Sequence, residues 1–164
     1  RADLMIKMKP KPLKSQKRGK ANSYNIGVIC LEKGGKILVG KVSLPKTGGS
    51  QWSIPNGSVK KEERCVDAAL RIFEEETGHT GGFRIVDSIT LLETNNKYKI
   101  FILVIPYLNP GSVSNGQADF FTWVPLERLS DLDPKHQILE KIIKSGELNE
   151  EKVSFYISLV GEQI

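Results

Sequence analysis

Glu74, Glu75 and Glu76 follow Arg71, Ile72 and Phe73 in the run ALRIFEEETG, and acidic side chains so grouped either ring a solvated helix end or grip a hard cation. At about 100° per residue, Ile72, Glu75 and Glu76 share one arc of a helix, with Ala68 one turn earlier leaving room above them. Two neighbouring carboxylates on that arc suit Mg²⁺. That ion takes oxygen ligands, keeps several waters, and is held by one or two protein carboxylates together with substrate phosphates. Carboxylates in a last helical turn also oppose the helix dipole, so the cluster sits where it costs stability, which favours ligation over simple solvation.

The elements that would position these groups are legible on either side. Asn56-Gly57 is a turn signal after Trp52-Ser53-Ile54-Pro55. From about Glu62 the pattern takes the period of a helix, and Val66, Ala69, Leu70 and Phe73 at i, i+3, i+4 and i+7 are expected to face a core.

The stretch from Gly57 to His79 resembles the Nudix box. Gly57, Glu63, Arg71, Phe73, Glu75, Glu76 and Gly78 fall in the register of that box, and Trp52 to Gly57 is similar to the family's usual approach to it. Two positions depart. His79 stands where the box has an apolar residue, and Ile72 stands where it has the glutamate that binds metal or acts as general base. Ile72 offers neither a proton acceptor nor a ligand oxygen.

Carried over by position, the resemblance implies an α/β fold, a Nudix-like α/β/α sandwich whose mixed sheet carries the box helix on one face and a C-terminal helix on the other. It implies Glu75 and Glu76 as metal ligands and catalytic groups, the backbone carbonyl of Asn56 as a further ligand of Mg²⁺ or Mn²⁺, and Glu63 with Arg71 as a structural pair. An acidic residue in the loop before the family's closing strand often completes the metal site, and Asp119 is the candidate here, ahead of Glu93; the other reading is a strand-capping side chain. The implied function is Mg²⁺-dependent hydrolysis of a nucleoside diphosphate linked to another moiety, with impaired or relocated catalysis because of Ile72. The alternative is a degenerate domain that binds nucleotide or RNA without cleaving it. A missing general base costs about 10²- to 10⁴-fold in rate, enough to leave slow turnover.

The 164 residues, 39% hydrophobic, suit one globular domain with a real core. Residues 1–20 carry eight Lys and Arg against Asp3, more positive charge than the whole chain's net +5, so the remainder is net negative. We therefore expect residues 1–22 to form a basic, disordered leader, and residues 23–164 the domain. KMKPKPLKSQKRGK lacks helical periodicity; it reads as a solubilising leader, an arm for nucleic acid such as RNA, or a nuclear localisation signal. No apolar run approaches the ~18 residues of a membrane span, and no signal-peptide core stands at the start, so a cytoplasmic or nuclear chain is expected. Cys30 and Cys65 read as reduced, buried thiols.

Strands are expected over Tyr24–Leu31, Lys36–Val42, Phe83–Leu92, Tyr98–Leu108 and Asp119–Val124, the first two as a hairpin and Tyr98–Leu108 as a central strand covered on both faces. Ser43–Gln51 and Asn109–Ala118 read as loops. The first is expected to border the metal pole, where Lys41 and Lys46 either meet substrate phosphates or are plain surface lysines. Pro134–Lys144 is an amphipathic helix with Ile138, Leu139, Ile142 and Ile143 as its stripe, and Glu147–Val160 a packed terminal helix or an interface. His136 reads as isolated and exposed, and neither it nor His79 has a zinc-ligand partner at useful spacing.

Overall fold

The computed structural model describes residues 23–81, 83–106 and 116–160; the basic leader, most of the segment read as the Asn109–Ala118 loop, and the end of the strand expected to reach Leu108 lie outside them. Seven strands form one mixed sheet: β1 (Asn25–Glu32), β2 (Ile37–Leu44), β3 (Gly49–Ser53), β4 (Asn56–Ser58), β5 (Arg84–Leu92), β6 (Lys97–Ile105) and β7 (Ala118–Val124). The main path runs β3-β2-β1-β6-β5, with β4 beside β1 and β7 beside β2. β1 and β6 are parallel and the other pairings antiparallel.

The expected β1–β2 hairpin exists only at its turn. Gly35, at φ 92°, supplies the left-handed residue there, and Leu31 pairs with Ile37. Beyond that pair the strands part, because β6 and β4 take the edges of β1 while β3 and β7 take those of β2. The segment Ser43–Gln51, read as a loop from its glycines and polar residues, is instead mostly strand. Val42 pairs with Gln51, Ser43 with Ser50 and Leu44 with Gly49, and the turn is confined to residues 45–48. Backbone pairing with β2 overrides the weak strand propensity of those residues.

Helix α1 (Cys65–Thr77) covers one sheet face; α2 (Gln137–Ser145) and α3 (Glu150–Val160) cover the other, which is the expected sandwich. On β6, Tyr98, Ile100, Ile102 and Val104 enter the cluster beneath α2 and α3, while Phe101, Leu103 and Ile105 enter the one beneath α1. It is therefore the doubly covered strand its composition predicts. α1 starts later than expected, at Cys65, because residues 60–63 close a turn in which Glu63 N–H donates to Lys60 O and Glu62 sits at φ 64°. Its buried face is also rotated: Ala68, Ala69, Ile72 and Phe73 are buried, whereas Leu70 is half-exposed. Gly78, at φ 75°, ends the helix by donating to Glu74 O.

His136, expected to be exposed, is half-buried and caps α2, its Nδ1 accepting from Ile138 N–H at 3.0 Å. Burial lowers its pKa and so holds it neutral, as that acceptor role requires. His79 does the work of the apolar residue it replaces, with its ring 5.9 Å from Phe73 and 6.0 Å from Phe83. Cys30 is fully buried, which pushes its thiol pKa up, and Cys65 is partly buried; both are free. No helix among the described residues is long and apolar enough to cross a membrane.

Tyr156, 2% exposed on α3, donates its hydroxyl to Asp87 Oδ2 of β5 at 2.7 Å and so ties the terminal helix to the sheet edge. Tyr156→Phe keeps the ring and removes that bond. It is expected to cost about 1 kcal/mol in a urea midpoint titration with an unchanged m-value; a midpoint equal to the parent's would show the bond to be idle.

Candidate functional site

The site is built by the segment Ser53–Ser58 and the helix that follows it. Pro55 O accepts from Val28 N–H at 2.9 Å, and the β4 pairings Gly27–Asn56, Ile26–Gly57 and Asn25–Ser58 fix the segment on β1. The Asn56 amide donates to Ser53 Oγ at 3.0 Å and to Ile54 O at 2.8 Å, so this residue is held from both sides. Gly57 is closely packed: a Cβ there would lie 3.0 Å from Ile72 Cδ1. Ile72, 3% exposed, thus packs its apolar side chain against the backbone of the turn.

Arg71 is the clamp. Its Nε and Nη2 donate to the two oxygens of Glu63 at 2.9 and 3.0 Å, Nη2 also donates to Ser58 O at 2.8 Å, and Nη1 donates to Glu75 Oε1 at 3.2 Å. The forked guanidinium can make such a bidentate bond where a lysine cannot. The Arg71 hydrogen bond, then the Lys60 N–H, hold the Glu63 carboxyl far below its ordinary range, at about 2. The sequence marks Glu63 with Arg71; the further bonds to Ser58 and Glu75 carry no local signal.

The two candidate ligand carboxylates stand in different surroundings. Glu75 is exposed and tethered to Arg71. Glu76 is half-buried beside the backbone of Gly116 and accepts from Gln117 N–H at 3.3 Å. Burial raises its pKa, against the lowering effect of the Gln117 bond, and Glu75 raises it further. Between Glu76 and Asn56 lies a recess of only about 10 Å³, also lined by Ser53, Gly40 and Gln117. That is room for about one water-sized group.

A larger cleft of about 270 Å³ opens beside the same turn, lined by Asn56, Gly57 and Ser58 together with Asn25, Asn96, Tyr98 and residues 136–138. Its side chains are polar and uncharged, apart from Ile138. Gln137 Nε2 donates to Tyr98 Oη at 2.6 Å and orders its wall.

Strand parity divides the predicted site residues. Gly40 and Ser53 line the Glu76 recess. Lys41, which alternates with Gly40 on β2, lines a separate cavity of about 450 Å³ with Ser43, residues 48–50, Asp119 and Phe120. There the Asp119 carboxylate accepts from the Ser43 hydroxyl. So Asn56, Glu75 and Glu76 lie at one pole, Glu63 and Arg71 brace it, and Lys41 and Asp119 lie together elsewhere. Lys46 is exposed on the β2–β3 turn. Glu93 is engaged by Lys141 at 2.7 Å.

Among the described residues no three His, Cys, Asp or Glu side chains converge as a metal-binding set. The oxygen donors present are the Glu76 carboxylate and the Asn56 turn, which line the recess together, and the Glu75 carboxylate, which is bonded to Arg71. That sparse, all-oxygen set fits a hard cation that keeps most of its waters and takes further ligands from a phosphate chain.

A family model described as NUDIX domain matches residues 22–145. An uncharacterized Nudix hydrolase of Schizosaccharomyces pombe is 29% identical over 125 residues, covering 71% of this chain, and the chain spans 60% of the length of that relative. Among solved structures, the MutT protein of Methanosarcina mazei Go1 superposes with a TM-score of 0.53 at 19% identity, over 77% of this chain and 96% of that one. A binary complex of the C. elegans Ap4A hydrolase gives 0.52 at 20% identity, over 82% and 93%. At these identities the structural likeness is one of fold.

Proposed function

The chain belongs to the Nudix family, and from that premise we propose that it is a slow, divalent-metal-dependent pyrophosphohydrolase of a nucleoside diphosphate linked to another moiety. The observation that carries the reading is the half-buried Glu76 carboxylate, which lines one small recess together with the Asn56 turn, on a helix locked to that turn by Arg71. The fold it shares with the C. elegans Ap4A hydrolase is consistent with a dinucleotide substrate.

In this proposal Glu75, Glu76 and the Asn56 carbonyl hold Mg²⁺ or Mn²⁺, which when bound neutralises the diphosphate and lowers the pKa of an attacking water. The chain's own residues do the rest. The uncharged cleft beside Gly57 takes the nucleoside, because amide side chains such as Asn25, Asn96 and Gln137 carry paired donors and acceptors that match a base edge or a ribose diol. Ile72 accepts no proton, so proton removal from the water falls to Glu75 and Glu76, which also serve as ligands; turnover is slow for that reason. Asp119, bonded to Ser43 in the neighbouring cavity, holds β7 to β2.

A second reading, a nucleotide- or RNA-binding module, is favoured by one observation. Ile72 is buried against Gly57, at the place where the resemblance calls for a glutamate. In that reading the basic leader would contribute salt-sensitive affinity for RNA.

The discriminating experiment incubates the full chain with dinucleoside polyphosphates and nucleotide sugars, with and without Mn²⁺ or Mg²⁺. The expected result is slow release of mononucleotide that needs the metal and disappears in Glu76→Gln. Binding of the same compounds with no product in any metal would replace the hydrolase by the binding module.

A further inference from the structure

Trp52, Lys41 and Phe120 stand side by side on three adjacent strands. Lys41 pairs with Trp52 across β2–β3 and with Phe120 across β2–β7, so the three share one sheet face. Gly40, Ser53 and Phe121 take the opposite parity, and a Cβ on Gly40 would lie 2.8 Å from the Phe121 ring. The Lys41 ammonium lies 4.8 Å from the centre of the Trp52 ring, and Trp52 meets Phe120 edge to face at 6.1 Å. Trp52 is half-buried against the core, while Phe120 is 42% exposed on the wall of the 450 Å³ cavity.

That depression is open to solvent and its volume falls within the ~300–1,000 Å³ of small-molecule sites; Phe120 stands in it beside the Lys41 ammonium rather than alone on the surface. We propose that this face is a second binding site, for a nucleotide unit whose base stacks on Phe120 and whose phosphate meets Lys41. Stacking on an aromatic ring is open to every base, and a lysine binds phosphate as a point charge. Among the described residues that line the cavity, Asp119 is the one carboxylate, and it accepts from the Ser43 hydroxyl. Gly48 and Gly49 leave the facing wall open, since a Cβ on either would meet nothing within 4 Å. The site lies apart from Glu76 and Asn56 and does not depend on hydrolysis.

A free nucleotide and a single-stranded nucleic acid offer the same chemistry, so both serve as probes. The ¹⁵N-labelled full chain is titrated with adenosine monophosphate and, separately, with an oligoadenylate of eight nucleotides, following amide shifts by NMR. Shifts are expected at Lys41, Gly48, Gly49 and Ser50. Phe120→Ala should weaken binding about 5- to 100-fold, the range of one base–aromatic stack, while Glu76→Gln leaves these shifts and their affinity intact. Tighter binding of the oligonucleotide that Phe120→Ala weakens assigns the site to a strand, and equal affinities assign it to the free nucleotide. Shifts confined to Gly57, Ser58 and Gln117, an unchanged affinity in Phe120→Ala, or no binding of either probe overturns the proposal.

Discussion

Ile72→Glu is expected to raise metal-dependent hydrolysis by about 10²- to 10⁴-fold, the range supplied by a positioned general base. The side chain at this position points into the packing between α1 and the Asn56-Gly57 turn, with Ile72 Cδ1 against Gly57. A carboxylate placed there would lie one helical turn before Glu75 and Glu76 and beside the carbonyls of the turn. Without metal the change should destabilise the fold. The lost burial of isoleucine alone costs about 2 kcal/mol, and the new carboxyl, desolvated, would have its pKa pushed up. A cation at the recess offsets both. The variant should therefore show a larger Mg²⁺-induced rise in melting temperature than the parent, as expected of a ligand that binds only the folded state. Melting scans over a magnesium series, run beside the hydrolysis assay, check both halves. A variant that gains neither activity nor metal-dependent stability would show that position 72 does not reach the ion.

The architecture was largely legible because it rests on local pattern. The apolar runs of β1 and β6, the glycines that end α1 and α2, and the stripe of Ile138, Leu139 and Ile142 on α2 each signal their element within a few residues. What could not be read depends on pairing between distant segments. Ser43–Gln51 looks like a loop until β2 supplies its hydrogen-bond partners. The rotated face of α1 includes Ile72, which is buried in the core beneath the helix and packs against Gly57 of a distant strand. Which polar groups Asp119 and Lys41 join depends on strand parity, and the register shift between Lys41 and Val42 in the β2–β7 pairing brings Asp119 beside Ser43. The sequence thus names the box residues, whereas the long-range sheet register decides which other polar groups join them.

Arg71→Ala is expected to lower the melting temperature by about 5 °C, the shift typical of losing a network of charged hydrogen bonds in a chain of this size. The change also frees Ser58 and Glu75, so metal affinity should fall with stability. The pH dependence separates the clamp from a generic cavity effect. In the folded chain Glu63 has its pKa lowered to about 2, against an ordinary glutamate value near ~4.3. Between those values the unfolded chain binds more protons, so this group's contribution is fully present above the ordinary value and is lost as the pH falls toward 2. In Arg71→Ala the Glu63 carboxyl returns toward its ordinary range, and the acid limb of stability against pH should become shallower. Glu63→Gln should flatten the same limb while keeping the guanidinium. Arg71→Lys should restore charge without the forked bonds to Glu63 and Ser58, and so recover only part of the melting temperature. An acid limb in Arg71→Ala as steep as the parent's would place the acid sensitivity in some other carboxylate and remove Arg71 from its role as the brace between helix and turn.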